Sequence, residues 1–236
     1  MTDNINIVLD AGTTWSKIAE KTSSSLMKDY QEYFIKEANG YKYYILPSSE
    51  LKKLNFKFDK ATGHMSLSML KDRNNYENEI IALIQGFRKQ ITEDSIILDM
   101  GSRDSKWVKF NDGKFKDLDW NNSCSSSTGA TIEMLLKFYN IKVEDLKYTP
   151  EKYVITCGIF GLEKIMDDIA NGFEAKIAIS KFIHGIAFNA WSFAKKPTKV
   201  YLSGGFCSNP CFVNSLSQYC EVLPMGRFLL ADGLIK

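Results

Sequence analysis

Apolar and polar residues alternate from Asn4 to Asp10, and the alternation stops at Ala11-Gly12-Thr13. That pattern predicts a half-buried strand ending in a polar turn. Ser16–Glu20 and Lys28–Ile35 read as further strands of an antiparallel meander, and YKYYILPSS as another. Ser48-Ser49-Glu50 before LKKLN has the composition of a cap on a short helix. Residues 55 to 72 carry no clear period. Asn75–Lys89 has the apolar spacing of a helix, interrupted by Gly86.

The pattern then starts over. Ser95–Asp99 predicts a strand, and Lys106–Phe110, NDG and Lys114–Leu118 predict a hairpin, because Asn-Asp-Gly supplies positive-φ positions. Thr128–Tyr139, Gly158–Asn171 and Glu174–Ala194 have helical spacing. Val200–Leu202 reads as a buried strand running into Ser203-Gly204-Gly205, and Asn209-Pro210 opens a helix with proline in its first turn. The order is strand-rich, helix, strand-rich, helices, strand, helix. It spells a duplicated α/β domain pair, residues 1–92 and 93–236, with a hinge near Ile91–Asp94 and the last helix expected to return to the first domain.

Both strand-rich parts open on one frame. Leu9-Asp10-Ala11-Gly12-Thr13-Thr14-Trp15-Ser16-Lys17 and Leu98-Asp99-Met100-Gly101-Ser102-Arg103-Asp104-Ser105-Lys106 share Leu-Asp-x-Gly-(Ser/Thr)-x-x-Ser-Lys. An aspartate ending a strand sets its carboxylate at the sheet edge, where it can hold a hydrated Mg²⁺. Gly12 and Gly101 permit the tight turn and let backbone N–H groups approach an anion. Thr13, Thr14 and Ser102 add hydroxyls, and Lys17 and Lys106 either neutralise phosphate or stand as surface charges. One such turn is only a turn; two in equivalent places point to a polyphosphate gripped from both sides. Gly204 and Gly205 add bare backbone able to lie against a base or ribose.

Composition narrows this without redirecting it. The chain has 236 residues, 44% hydrophobic and 25% charged, with a net charge of +2, ordinary values for a globular protein that bind it to neither nucleic acid nor an anionic membrane. The first residues lack the basic and apolar regions of a secretory signal, and no apolar run approaches the ~20 residues of a membrane helix. A cytoplasmic protein is expected, and five cysteines there argue against a disulfide framework. Cys124 and Cys157 each precede a predicted helix, where the positive end of the dipole favours a thiolate and metal ligation. On the residues alone each is either a ligand or a small core residue. Cys207 and Cys211 read as buried thiols, Cys220 carries no evident chemistry, Trp15 packs, His184 is a satisfied helix residue and His64 a loop residue. Glu133, one turn into the helix after Cys124, is either a ribose contact or part of a solvated face.

The paired turns and the late Gly-Gly resemble the actin, hexokinase and Hsp70 superfamily of ATPases, and a P-loop is absent. More specifically, DMGSRDSK, NSCSSSTGATIEML, TCGIFGLEKI and LSGGFCSNP, in that order, resemble the activator components of 2-hydroxyacyl-CoA dehydratases and their benzoyl-CoA reductase relatives, the BadF/BadG/BcrA/BcrD-type ATPases. ATGHM at Ala61–Met65 and NEIIALIQG at Asn78–Gly86 fall where that family has its own motifs. The resemblance implies an actin-like fold of two ribonuclease-H-like α/β domains with an interdomain nucleotide cleft. It implies a homodimer in which Cys124 and Cys157 of both subunits hold one [4Fe–4S] cluster, and ATP hydrolysis that drives an electron from reduced ferredoxin or flavodoxin to an iron–sulfur dehydratase- or reductase-type partner.

On that reading Asp10 and Asp99 orient Mg²⁺ or the attacking water. Gly12, Thr13, Thr14, Lys17, Gly101, Ser102, Asp104, Thr128, Gly129, Glu133, Gly204, Gly205 and Asn209 line the nucleotide. Arg103 stands where the family has glutamine and either stabilises transferring charge or marks altered hydrolysis. Ser125-Ser126-Ser127 replaces Ala-Ala-Gly beside the first cysteine, and Leu83 stands where the family has histidine. Two rivals are a small-molecule kinase of the same superfamily, which needs no cluster, and a regulator that binds ATP without turning it over.

Overall fold

The structure is a computed structural model describing residues 5–121, 129–156 and 158–235. Cys124, Thr128 and Cys157 lie outside the described residues. The chain divides into two compact units, Met1–Thr92 with Arg227–Lys236, and Glu93–Gly226.

The first unit is built on a five-stranded sheet. Its strands are β1 (Ile7–Ala11), β2 (Trp15–Lys21), β3 (Phe34–Ala38), β4 (Tyr41–Pro47) and β5 (Lys60–Thr62), in the order β3-β4-β2-β1-β5. β1 pairs antiparallel with β2 and parallel with β5. All of β1 is buried, Asp10 included, so the strand that the alternation predicts as half-buried is covered on both faces. The strand expected over Lys28–Ile35 forms only at its end. Gln31–Tyr33 is a 3₁₀ turn, because local bonds win: the Gln31 side chain donates to the Met27 carbonyl at 2.8 Å and the Tyr33 amide to Tyr30 at 3.2 Å. Ser48–Lys53 is also 3₁₀, and Ser48 does not cap it; that hydroxyl is used in the first polar turn instead. Residues 55 to 72 contain β5, held beside β1 by Asp59. The Asp59 carboxylate accepts the amides of Asn6 and Ile7 at 2.8 and 3.0 Å and pairs with Lys71 at 2.6 Å. α1 (Glu79–Arg88) follows, capped by Asn78, whose side chain accepts the Ile80 amide at 2.8 Å.

The second unit repeats the plan. β6 (Ser95–Met100), β7 (Ser105–Asn111) and β8 (Lys114–Asn121) form a meander; α2 (Gly129–Phe138), α3 (Gly158–Ala170) and α4 (Ala175–Phe193) follow, then β9 (Lys199–Gly204), α5 (Pro210–Leu216) and β10 (Glu221–Gly226). The sheet order is β10-β9-β6-β7-β8, with β6 antiparallel to β7 and parallel to β9. Asp112 and Gly113 both take positive φ, +52° and +68°, in the two-residue loop between β7 and β8, as the Asn-Asp-Gly signal requires. α4 is apolar around most of its girth and is buried from Ala178 through Ala187, where it forms the centre of the unit's core. His184 is satisfied inside it: Nδ1 lies 2.9 Å from the Thr149 carbonyl and Nε2 2.8 Å from the Tyr219 hydroxyl.

The chain then returns to the first unit through α6 (Leu229–Leu234). Gly86, which reads as an interruption of α1, is the contact that lets α6 in. A Cβ on Gly86 would sit 1.9 Å from the Leu229 carbonyl oxygen, and one on Gly233 would sit 1.8 Å from the Ala82 carbonyl oxygen. The two helices meet backbone to backbone, and each glycine is fixed by the other helix. The Tyr43 hydroxyl donates to Asp232 at 2.7 Å and Lys89 donates to the Asp232 carbonyl at 2.6 Å, closing the contact. β10 and α6 escape the sequence pattern because each is only six residues long. Among the described residues no helix is long and apolar enough to cross a membrane.

Gly233→Ala is expected to destabilise the protein by about 1–3 kcal/mol or more, because backbone cannot yield to the added methyl; urea unfolding monitored by Trp fluorescence measures it, and an unchanged midpoint would contradict this packing. A second expectation concerns pH. Burial pushes the Asp59 carboxyl up, but Lys71 and the two backbone amides outweigh it and hold the group below the usual carboxylate range. A lowered folded pKa contributes stability that is present above the unfolded value and lost as pH falls through the folded one. Asp59→Asn is therefore less stable than the parent at neutral pH, and the gap closes in acid; a gap independent of pH would show that the charge contributes nothing.

Candidate functional site

The two polar turns have the same register. In the first unit β1 and β2 pair Asp10 with Lys17 and Ala11 with Ser16; in the second, β6 and β7 pair Asp99 with Lys106 and Met100 with Ser105. Cross-strand partners share a face of the sheet, so the Leu-Asp-x-Gly frame places an aspartate and a lysine side by side at each hairpin mouth. Lys17 Nζ lies 3.1 Å from Asp10 Oδ2. Lys106 Nζ lies 3.8 Å from Asp99 and 3.1 Å from Asp104, and 5.0 Å from the centre of the Trp120 ring. Neither lysine is the surface charge the sequence left open. Lys106 is 2% exposed and Asp99 5%, and burial of this kind demands a charged partner.

Each turn is tied down differently. In the first, the Ser48 hydroxyl lies 2.6 Å from the Gly12 carbonyl and 2.8 Å from the Ser16 hydroxyl, and the Ser48 amide donates to Thr14 at 2.9 Å. Gly12 is required there: a Cβ would fall 2.4 Å from the Trp15 carbonyl oxygen. In the second, the Gly101 amide donates to the Asp104 carbonyl at 2.9 Å. The first two amides of α2 then donate back into the turn, Gly129 to the Gly101 carbonyl at 3.3 Å and Ala130 to the Ser102 carbonyl at 3.0 Å. Asp104 also accepts from the Trp120 indole at 2.5 Å. Thr13 and Arg103 are exposed at the tips of their turns, and Glu133 is exposed on α2.

Each aspartate strand is backed by a parallel strand that ends in a hydroxyl and a glycine. β5 sets Thr62 beside Asp10, and β9 sets Ser203 beside Asp99. Gly63 and Gly204 follow with φ of +94° and +91°, and a Cβ would lie 2.4 Å from the Ala11 carbonyl oxygen at one and 2.3 Å from the Met100 carbonyl oxygen at the other. Gly204 is thus dictated by the fold. Gly205 is not: a Cβ there meets nothing within 4 Å, so its lack of a side chain leaves bare, open backbone at the strand end. Asn209 is buried and caps α5, accepting the Phe212 amide at 3.0 Å.

The remaining cysteines are engaged. Cys207 Sγ lies 3.0 Å from the Leu202 carbonyl and Cys211 Sγ 3.3 Å from the Lys147 carbonyl. Burial pushes the Cys211 thiol up and the Cys220 thiol up to about 11, the reverse of what thiolate ligands need. Among the described residues no group of three or more His, Cys, Asp or Glu is arranged to hold a metal. Sequence reasoning named Ser48 as a helix cap and met Thr62 and Ser203 only inside longer motifs, and gave none of the three hydroxyls a place beside the turns. Thr62-Gly63 and Ser203-Gly204 are a second repeated pair, visible in the sequence only once β5 is recognised as the counterpart of β9.

Comparison with known proteins places this arrangement. No protein-family model matches the chain. It is 22% identical over 179 residues to an activator of lactoyl-CoA dehydratase from Anaerotignum propionicum, 72% of this chain and 69% of that one. It is 23% identical over 146 residues to the (R)-2-hydroxyglutaryl-CoA dehydratase activating ATPase of Acidaminococcus fermentans, covering 59% of this chain and 56% of the relative. Among solved structures, the activator of the 2-hydroxyisocaproyl-CoA dehydratase from Clostridium difficile with bound ADPNP superimposes with a TM-score of 0.74 at 18% identity, over 98% of this chain and 92% of that one. Component A of the Acidaminococcus fermentans (R)-2-hydroxyglutaryl-CoA dehydratase gives 0.70 at 16% identity, over 97% and 94%. The fold is the actin-like ATPase fold, as the paired turns imply, and the relatives found are activators of 2-hydroxyacyl-CoA dehydratases, the family the motifs resemble.

Lys106→Met removes the cation from between Asp99 and Asp104 and is expected to destabilise the second unit by about 3–5 kcal/mol, the usual effect of leaving a buried charge unpaired. Asp99→Asn combined with Lys106→Met is expected to recover part of that loss. Chemical unfolding of the three proteins checks this; a single variant as stable as the parent would contradict a structural pair.

Proposed function

We propose that this chain is an ATP-dependent activator that delivers a low-potential electron to a partner iron–sulfur enzyme of the dehydratase type. The observation that carries the reading is the attachment of α2. The helix that follows Cys124 in sequence has its first two amides bonded to the carbonyls of Gly101 and Ser102, so the second polar turn is tied to the start of α2. The turn is the part that would register a phosphate, and the helix is the part that would carry the change toward the cysteine.

Asp10 and Asp99 are the groups to hold Mg²⁺ and the attacking water, with Gly12, Thr13, Thr14 and Lys17 serving the nucleotide in the first unit and Gly101, Ser102 and Asp104 in the second. The donor set fits: hard carboxylate oxygens for the cation, and exposed turn residues for phosphate. Arg103, exposed beside Ser102, is the residue to meet charge building on the transferred phosphoryl group. The open backbone at Gly205 fits a flat base or ribose, and Thr128, Gly129, Glu133, Gly204 and Asn209 complete the surroundings. Loss of the terminal phosphate would relax the second turn and, through Gly129 and Ala130, shift α2.

Cys124 and Cys157 of two subunits are the ligands for one [4Fe–4S] cluster, which when bound supplies the low-potential electron. The outer faces of α2 and α3 favour such a pairing of subunits. Met134 and Phe138 on α2 and Ile159, Phe160 and Met166 on α3 are all exposed apolar residues, more apolar surface than two solvent-facing helices normally leave in water. A homodimer, reduced ferredoxin or flavodoxin as donor and a cytoplasmic setting complete the proposal.

Protein purified without oxygen is expected to be brown and to carry about four irons per dimer. Cys124→Ala and Cys157→Ala are each expected to be colourless, by iron analysis and visible absorption. Colourless parent protein that still binds ATP would favour a kinase or a nucleotide-gated regulator, and a cluster retained in either variant would overturn the ligand assignment.

A further inference from the structure

Thr62 and Ser203 occupy equivalent places in the two units, beside Asp10 and Asp99. Each is register-paired with the aspartate of its unit, Thr62 with Asp10 and Ser203 with Asp99, and so shares the sheet face of that carboxylate. The carboxylate therefore has a lysine from the hairpin on one side and a hydroxyl from the parallel strand on the other. Thr62 is 0% exposed and Ser203 1%. Neither hydroxyl oxygen has a hydrogen-bond partner among the described residues.

Burying a hydroxyl without a partner is unfavourable, and valine or alanine would fill the same space without that penalty. Two orphaned hydroxyls at matched positions, each beside the same kind of carboxylate, mark a bond that this state of the protein does not make. The glycine after each leaves little freedom: Gly63 and Gly204 hold their strands against the backbone of Ala11 and Met100, so the hydroxyls stay beside the strand ends and only rotate. A phosphate that enters the turn competes with the carboxylate for the lysine ammonium. A carboxylate that loses its lysine to phosphate needs another donor to keep its orientation, and the hydroxyl on its other flank is in place.

We propose that Thr62 and Ser203 are positioning residues for a magnesium nucleotide. On ligand entry each hydroxyl donates to its neighbouring aspartate, replacing the lysine and fixing the carboxylate that receives the hydrated cation. This rests on the reading of the two turns as a nucleotide site. It adds a Thr/Ser–Asp–Lys row to each unit, in which the two donors hold the carboxylate in alternate states.

The test uses the full chain with Thr62→Val, which keeps shape and removes the hydroxyl, Ser203→Ala, and Thr62→Ser as the conservative variant. Thermal unfolding without nucleotide is expected to be unchanged or slightly raised in Thr62→Val and Ser203→Ala, because no bond is lost. Calorimetric titration with a non-hydrolysable ATP analogue, in MgCl₂ and again in EDTA, is expected to show Mg²⁺-dependent affinity weakened about tenfold or more in those two, a far smaller loss in EDTA, and recovery in Thr62→Ser. Variants that bind the magnesium nucleotide like the parent would overturn the inference and leave the nucleotide site standing. Variants that unfold early, or fail to fold, would show a structural hydroxyl and overturn it equally. A parent that binds no nucleotide would bring down the reading of the site and this inference with it.

Discussion

An aspartate pairs with a lysine across the mouth of a hairpin once in each unit, and the geometry of both turns is built around that pairing. Asp10 and Asp99 are 4% and 5% exposed, and charges so enclosed persist only against a partner of opposite sign. The antiparallel register supplies Lys17 to one and Lys106 to the other. Once that register is set, the glycine two residues after each aspartate must turn tightly, and the parallel strand that backs each hairpin must end in glycine to pass the aspartate strand. A buried ion pair is weak evidence for stability. It is better evidence for a carboxylate kept at a strand end for other use, and the same arrangement made twice in one chain strengthens that argument.

What differs between the units is what the turn is fastened to. The first is fastened to Ser48, inside a short 3₁₀ segment of its own unit. The second is fastened to α2 through the amides of Gly129 and Ala130, immediately after the stretch containing Cys124. One turn is thus anchored to scaffold and the other to a helix that faces solvent with apolar residues. For the activator proposed above, that asymmetry is what would let the state of the nucleotide reach a distant group. A rigid anchor alone would give binding without consequence.

The duplicated frame was legible in the sequence because it consists of residue types with few other uses at that spacing: aspartate ending an apolar run, glycine two residues on, lysine seven residues on. The Asn-Asp-Gly turn, the helix cap at Asn209 and the central helix containing His184 were legible for the same reason. Lys28–Ile35 misled because Gln31 and Tyr33 close local turns, which leaves only Phe34 and Ile35 to enter β3. Ser48 misled because its hydroxyl serves a contact far along the chain instead of its own helix. Gly86 read as a flaw in α1 because the partner that requires it, Gly233, lies at the other end of the chain. β5 escaped notice at three residues long, so Thr62, though inside a quoted motif, had no strand to set it beside Asp10.

The central proposal is that both turns serve a magnesium nucleotide. Titration of a magnesium ATP analogue into the parent, Asp10→Asn and Asp99→Asn measures it directly. A single nucleotide bound per chain is expected, with binding lost when either aspartate is replaced. Two independent sites, or binding that survives intact in either variant, would contradict it.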